Sequence, residues 1–264
     1  MTSKTKKHTT EYLIAYLDLL GVKNNIKEDL FDDYLNLLDK IYEESIHYIK
    51  TIVKNTELRD IKIKIFSDNI IFAYPLENNQ AKNINNLIVP FIILITAFQY
   101  HCLKYGEILR GGITIDKLYI DDKFVYGNGL LNAYYIEDNI AIYPRIIIDN
   151  KVLKRITDQG FKLLYIEQDT DCNYYINYLL DLFLNKKLNK NIDYIRKRII
   201  LGTHVIKWAK ERSKWYWLVD KFNKFCTENV QFKNYKIDVD KIDALAKEIQ
   251  RENKLKLSKQ GGWR

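Results

Sequence analysis

The sequence has few of the residues that build disulfide frameworks or metal centres with sulfur and nitrogen ligands. It contains three cysteines and four histidines among 264 residues. Cys102, Cys172 and Cys226 are odd in number and include no close pair, which argues against a disulfide framework and against a cysteine zinc site. The histidines stand at no metal-ligand spacing. We therefore expect reduced, buried thiols and no histidine-based chemistry.

The sequence also lacks an apolar run long enough to cross a bilayer. The longest, residues 87–98, is too short and indicates a buried helix instead. Residues 1–10 are polar and carry lysines, without the apolar segment and cleavage site of a secretory signal. These absences predict a cytoplasmic protein with no membrane partner.

The charge is unevenly distributed along the chain. Hydrophobic residues make up 47% of the sequence and charged residues 29%, a balance typical of folded proteins. Residues 1–150 carry 17 Lys and Arg against 20 Asp and Glu, whereas residues 151–264 carry 25 against 14. We expect a first domain at 1–150 and a basic helical C-terminal region at 151–264, packed on the same domain.

The first half alternates strand and helix patterns. The predicted elements are a strand at 12–18, a helix at about 29–54, a hairpin at 61–74, a helix at 83–105 and a strand at 108–119. A short helix to about residue 137 and a strand at 143–149 follow. This order is that of a split βαβ unit and predicts an α+β, ferredoxin-like fold. Three helices are predicted after residue 150, at 174–187, 192–225 and 239–257.

Two aspartates stand where strands of the predicted sheet end. Asp18 closes the first strand, and Asp68 lies at the predicted tip of the hairpin, in the turn-favouring sequence Ser67-Asp68-Asn69. If the strands are neighbours, both carboxylates can converge on hard cations. The alternative is that Asp18 caps a loop and Asp68 makes an ordinary turn.

The surrounding motifs resemble those of class III nucleotide cyclases. Four blocks occur in the family's order: Asp18-Leu-Leu-Gly21-Val22, Lys64-Ile-Phe-Ser-Asp68, Arg110-Gly-Gly-Ile-Thr114, and the helix led by Gly127 and Gly129 that runs to Glu137. The resemblance covers about residues 10–150. It implies a cyclase palm and leaves the basic half unexplained.

Within that family, the chain is most similar to the bacterial pyrimidine cyclases of the Pycsar antiphage systems. The blocks that carry this likeness are the Phe-Ser-Asp hairpin, Arg110-Gly-Gly-Ile, the helix Gly129 to Glu137 with Ala133 and Tyr134, and Pro144-Arg145-Ile146. The resemblance implies a manganese-dependent homodimer that makes cyclic UMP or cyclic CMP. Such a product would act as a second messenger on a downstream cyclic-nucleotide effector protein.

The resemblance also assigns roles to individual positions. Asp18, Asp68 and the Leu19 carbonyl would hold two Mn²⁺ ions, or Mg²⁺ ions in their place. Backbone amides at Leu20, Gly21 and Val22 would cradle phosphate oxygens. Lys64 would reach a base carbonyl and Arg110 would contact phosphate. For Lys64 the alternative is a solvated strand lysine, and for Arg110 it is an ion pair with a carboxylate.

One motif departs from the family pattern. Purine cyclases place an asparagine and an arginine, four residues apart, on the helix that follows the glycine. The corresponding residues here are Leu131 and Tyr135, and Asn132 is one residue out of register. Either the helix does not supply these roles in this protein, or Arg110 or Arg145 replaces the lost charge. The third alternative is a degenerate protein that binds a nucleotide without catalysis. The departure favours a pyrimidine substrate, with uridylate cyclase as first choice and cytidylate cyclase as second.

Two other functions remain as alternatives. The basic half interleaves cations and aromatics, as in residues 196–198 and 207–217, which is compatible with a nucleic-acid-binding module. Basic helices are more often solvated faces, so nucleic acid is not the favoured partner. The other alternative is a non-catalytic nucleotide sensor on the same palm.

Overall fold

The central strand, β1 (Thr10–Leu20), is buried along most of its length because both of its faces are apolar. In the computed structural model it pairs antiparallel with a strand on each side, so neither edge is open. The structure describes residues 7–20, 31–52, 60–76, 85–157, 165–180, 182, 190–205 and 208–260.

The elements follow the sequence in this order. The strands are β1 (Thr10–Leu20), β2 (Lys62–Phe66), β3 (Asn69–Pro75), β4 (Ile108–Ile120), β5 (Val125–Tyr126), β6 (Ile146–Ile148), β7 (Ile166–Gln168) and β8 (Tyr174–Ile176). The helices are α1 (Phe31–Ile52), α2 (Asn85–Tyr105), α3 (Asn128–Tyr135), α4 (Asn150–Thr157), α5 (Ile192–Val205), α6 (Ala209–Glu228) and α7 (Ile242–Gln260).

Seven of the strands form one mixed sheet in the order β2-β3-β1-β4-β6-β8-β7, and β5 pairs with β4 beside it. The pairs from β2 to β4 are antiparallel, and β6 lies parallel to β4. The predicted α+β class, with helices and a mixed sheet, is confirmed.

Helices cover both faces of the sheet. Phe72 of β3 meets Phe98 of α2 at 5.3 Å between ring centroids, so α2 lies on that face. The opposite face carries a cluster of apolar side chains from β1, β3 and β4, against which Ala133 and Leu130 of α3 pack. Strands β1, β3 and β4 are thus covered on both faces at their centre.

Helix α2 is the apolar helix predicted from residues 87–98. By length and composition its segment Leu87–Tyr105 would be able to cross a membrane, but 78% of that segment is buried inside the fold, as in a core helix. Gly106 follows it with φ of 92°, and its amide donates to the Leu103 carbonyl at 3.0 Å. Gly106 is therefore the carboxy-terminal cap of α2.

Several predictions after residue 150 were wrong. Strands β7 and β8 occur where no strand was predicted, and β8 replaces the start of the helix predicted at 174–187. The helix predicted at 192–225 is divided, because Trp208 is extended (φ −84°, ψ 129°) between α5 and α6. Cys172 is exposed rather than buried, since it lies in the β7–β8 turn with φ of 64°.

The chain divides into two compact units. One comprises residues 1–101 and 108–178 and contains the sheet; the other comprises residues 102–107 and 179–264. In the second unit, α5 and α6 meet where Gly202 faces the Trp215 ring, and a Cβ at Gly202 would lie 2.3 Å from it. The domain boundary predicted at residue 150 stays a prediction.

Candidate metal centre

The tip of the β2–β3 hairpin is a two-residue turn formed by Ser67 and Asp68. Phe66 pairs with Asn69 across it, and Ser67 has φ of 57°, as tight hairpin turns require. Asp68 therefore lies at the tip of the hairpin, where the sequence predicted it.

The hairpin tip is tied to the end of β1. Asp18 is the register partner of Asn69, and the Leu19 amide donates to the Asp68 carbonyl oxygen at 2.8 Å. These contacts bring the two aspartates to the same end of adjacent strands. Convergence of their carboxylates on a cation stays a prediction.

Asn69 links the turn to the sheet face that carries α3. Its Oδ1 accepts a hydrogen bond from the Tyr16 hydroxyl at 2.8 Å, and its Nδ2 donates to Asp68 Oδ1 at 3.2 Å. Sequence reasoning missed Tyr16 and Asn69 as site residues. Tyr16 lies two residues before Asp18 and shares its face of β1, so a search for polar residues at a period of two from Asp18 would have identified it.

Arg110 lies opposite Asp18 on β4. Its Nε donates to Asp18 Oδ2 at 3.1 Å, and one η nitrogen lies 2.7 Å from Glu137 Oε1 and 3.9 Å from Asp138 Oδ1. Its other η nitrogen donates to the Glu137 carbonyl at 3.3 Å. The carboxylate pairing weighed for Arg110 is therefore observed, and its contact with a nucleotide stays a prediction.

Glu137 reaches Arg110 from a π-helical turn, Ile136–Ile140, that continues α3. The wide turn is closed by the Ala141 amide, which donates to the Ile136 carbonyl at 2.9 Å. Glu137 is only 2% exposed. In the sequence analysis Glu137 only marked the end of the helix motif, and no local pattern identified it as a partner of Arg110.

Negative charge exceeds positive charge in this cluster. Burial raises the pKa of Glu137 to about 7; Arg110 opposes this rise, and Asp18 and Asp138 add to it. Burial, with the charges of Glu137, Asp18 and Asp68, raises the pKa of Tyr16 to about 12. A cluster with these properties attracts cations.

The oxygen donors fit a hard divalent ion. Within the described ranges no three His, Cys, Asp or Glu side chains are grouped to hold a metal. Mg²⁺-type ions commonly use one or two carboxylates, with waters and substrate phosphates completing the shell. Asp18, Asp68 and a backbone carbonyl meet that requirement.

The structure describes some of the predicted nucleotide-binding residues. Leu20 ends β1 opposite Ile108, whereas Gly21 and Val22 lie outside the described residues. The Lys64 ammonium donates to the Asp122 carbonyl at 3.4 Å, and Lys62 donates to the Ile120 carbonyl at 2.7 Å. Both lysines thus reach backbone carbonyls at the end of β4 and in the turn after it, and the contact of Lys64 with a base stays a prediction.

The helix positions that depart from the purine-cyclase pattern are exposed. Leu131 is 64% and Tyr135 59% exposed. Asn132 instead donates to Asp116 Oδ2 at 2.9 Å, outside the carboxylate cluster.

Arg145 is not placed to supply the missing charge. Its guanidinium is buried and pairs with Asp169 and Asp171 of the β7–β8 turn. We therefore correct the suggestion that Arg145 replaces the arginine of purine cyclases.

Comparison with known proteins gives only distant similarity. No family model matches the chain, and no curated protein matches it. A crystal structure of an adenylate/guanylate cyclase/hydrolase from Silicibacter pomeroyi is similar, with 12% identity, a TM-score of 0.42, and coverage of 64% of this chain and 95% of that chain. The monomeric guanylyl cyclase domain of the RhoGC fusion protein from the aquatic fungus Blastocladiella emersonii has 10% identity, a TM-score of 0.45, and coverage of 65% and 98%. These values are too low to decide the fold or the activity.

Proposed function

We propose that the protein is a metal-dependent pyrimidine nucleotide cyclase, which converts UTP, or as second choice CTP, to the 3′,5′-cyclic monophosphate and pyrophosphate. The observation that carries the proposal is the convergence of Asp18 and Asp68 at adjacent strand ends, tied by the bond from the Leu19 amide to the Asp68 carbonyl. Two carboxylates at one position are what a triphosphate-binding metal site requires.

The strand order supports a cyclase palm. Strands β2, β3, β1 and β4 are neighbours in that order, with α1 and α2 as the two crossovers. This is the arrangement expected of a ferredoxin-like, split βαβ unit. In such a unit the carboxyl end of β1 lies beside the tip of the β2–β3 hairpin, at one end of the strands. Asp18 and Asp68 lie at this end.

Each residue of the proposed site has a distinct role. Asp18, Asp68 and the Leu19 carbonyl hold two Mn²⁺ or Mg²⁺ ions, and the amides of Leu20, Gly21 and Val22 bind phosphate oxygens. When bound, the ions lower the pKa of the ribose 3′-hydroxyl and stabilise the departing pyrophosphate. Lys64 orients the base from the neighbouring strand.

The exposed Leu131 and Tyr135 support a pyrimidine substrate over a purine. They occupy the positions at which purine cyclases carry an asparagine and an arginine. Without those side chains, activity on ATP or GTP is expected to be low. The choice of UTP, and a cytoplasmic role as a second-messenger source in antiphage defence with a downstream effector protein, rest on the sequence resemblance.

The proposal includes a homodimer. Leu131 and Tyr135 are exposed side chains of α3. Tyr134 of the same helix and Phe66 of β2 are 46% and 48% exposed, and their rings lie 5.5 and 6.4 Å from the Tyr16 ring. Exposed apolar side chains beside a half-open site are suited to burial by a second copy. Two-fold symmetry would give two equivalent sites.

The test is incubation of the full chain with each of the four ribonucleoside triphosphates and Mn²⁺, with products identified by mass spectrometry. We expect cyclic UMP, or cyclic CMP, from the wild type. Because Asp68→Ala removes one proposed ligand, it should lower the rate at least 10²-fold, the size of effect expected on losing transition-state charge stabilisation. Asp39→Ala, an exposed aspartate on α1, is the control and should leave the rate unchanged. Equal activity of Asp68→Ala and wild type would refute the site.

A non-catalytic nucleotide sensor is the second candidate. It is favoured because Arg110 is paired with Asp18 and Glu137 and therefore does not take the place of the arginine that purine cyclases carry on the helix after the glycine. Mn²⁺-dependent binding of UTP or CTP without any cyclic product would support the sensor and contradict the cyclase.

A further inference from the structure

The side chains around Asp18 form a chain of contacts that ends on the π-helical turn. Arg110 uses Nε for Asp18 and both η nitrogens for the turn, through the Glu137 carboxylate and carbonyl. Its guanidinium therefore spans two elements, β1 and the turn that follows α3. A rigid, planar group held at three of its nitrogens has little freedom to reorient.

This arrangement is unexpected beside a cation site. The positive charge of Arg110 repels a bound cation, so charge alone gives Arg110 no favourable role there. Glu137 offsets that charge from a buried position, 2.7 Å away. What remains is the geometry, because the guanidinium fixes the direction of the Asp18 carboxylate.

We propose that Arg110 and Glu137 are positioning residues, which hold the Asp18 carboxylate in the orientation that binds a divalent cation. The inference rests on the proposed function, since it assigns a metal to Asp18. Arg110 contacts the proposed ligand, and Glu137 contacts both Arg110 and Asp18. The inference requires no substrate contact by either residue, and the phosphate contact predicted for Arg110 is the competing role.

The experiment is calorimetric titration of the nucleotide-free full chain with Mn²⁺. Arg110→Lys keeps the charge and loses the planar fork, so its effect reports geometry rather than electrostatics. We expect the Mn²⁺ affinity to fall about tenfold, as for other residues that orient a metal ligand. The matched control is Arg155→Lys, because Arg155 forms a partly exposed ion pair with Glu11 at 3.0 Å in the same unit. It should bind Mn²⁺ as the wild type does.

A second pair of variants changes Glu137, the other partner in the Arg110 contact. Glu137→Ala removes the anchor of Arg110 and should also weaken Mn²⁺ binding about tenfold, whereas Glu137→Gln keeps an acceptor for Arg110 and should restore most of the affinity. In turnover assays, Arg110→Lys should raise the Mn²⁺ requirement and leave the nucleotide KM within about twofold.

Different outcomes separate the inference from the proposed function. Wild-type Mn²⁺ affinity in Arg110→Lys, or a raised nucleotide KM with unchanged Mn²⁺ affinity, would overturn the positioning role, the latter in favour of a phosphate contact. Asp18→Ala should abolish Mn²⁺ binding. If Asp18→Ala binds Mn²⁺ like the wild type, the proposed metal site itself is wrong.

Discussion

At the scale of single residues, Glu137 has the environment that most favours a neutral carboxyl group. It is buried, and Asp18 and Asp138 add negative charge beside it. Arg110 only partly compensates, because its guanidinium is shared with Asp18. The residue therefore couples folding to pH near neutrality.

Glu137→Gln should change the pH dependence of stability. The pKa of Glu137 rises from 4.5 to about 7 on folding, so the folded state binds the proton more tightly. The resulting stability is fully present below pH 4.5 and is lost as the pH rises through about 7. We expect the wild type to lose up to about 3 kcal/mol relative to Glu137→Gln between pH 4.5 and 8.

The measurement is urea unfolding at pH 5 and pH 8 in metal-free buffer. Glu43→Gln, on an exposed glutamate of α1, is the control and should follow the wild type at both values. Parallel pH profiles for the wild type and Glu137→Gln would contradict the prediction.

The sequence predicts some members of the cluster and not others. The positions of Asp18 at a strand end and of Asp68 at a hairpin tip follow from strand and turn patterns, which are local in sequence, whereas their role as ligands rests on the resemblance. Glu137 could not be predicted as a partner, because its contact with Arg110 spans 27 residues and depends on a π-helical turn. No local pattern specifies whether a helix widens at a given residue.

At the scale of elements, the packing of the π-helical turn on β4 depends on Gly112. A Cβ there would lie 2.6 Å from the Ile136 Cβ and 2.7 Å from the Ala133 carbonyl oxygen. These are backbone and branched atoms that cannot rotate away. Absence of a side chain at this position therefore lets the turn bring Glu137 to the sheet.

Gly112→Ala is expected to destabilise the fold by about 1 to 3 kcal/mol, the usual cost of overpacking a core. Because the turn must move outward, Glu137 should also separate from Arg110. Urea unfolding measures the first effect, and a crystal structure of the variant measures the Arg110–Glu137 distance. Wild-type stability with an unchanged distance would show that the interface tolerates a methyl group.

The elements after residue 150 show where sequence patterns fail. Strands β7 and β8 have three residues each, too few for a period of two to be recognised. They are held by non-local contacts, including the Arg145–Asp171 ion pair across 26 residues. Strands β1, β3 and β4 and helices α1 and α2 are longer, and their predicted order is the observed one.

At the scale of the whole molecule, the proposed homodimer makes the surface of α3 testable. Leu131→Glu places a charge where burial by a second copy is proposed, so it should weaken self-association at least tenfold through the cost of burying an unpaired charge. Leu35→Glu on α1 is a matched control, because Leu35 and Leu131 are both 64% exposed. Sedimentation equilibrium compares the two variants. Equal dimerisation would exclude Leu131 from the interface.

The pairing of β1 with β4 also determines when the centre is assembled during synthesis. Asp18 and Arg110 are 92 residues apart in sequence but are neighbours in the sheet. At ribosomal rates of 5 to 20 residues per second, Asp18 emerges roughly 5 to 20 s before its partner. During that interval β1 is an apolar nascent strand without β4 on one side, so its unpaired edge is open to non-native pairing until β4 has been made.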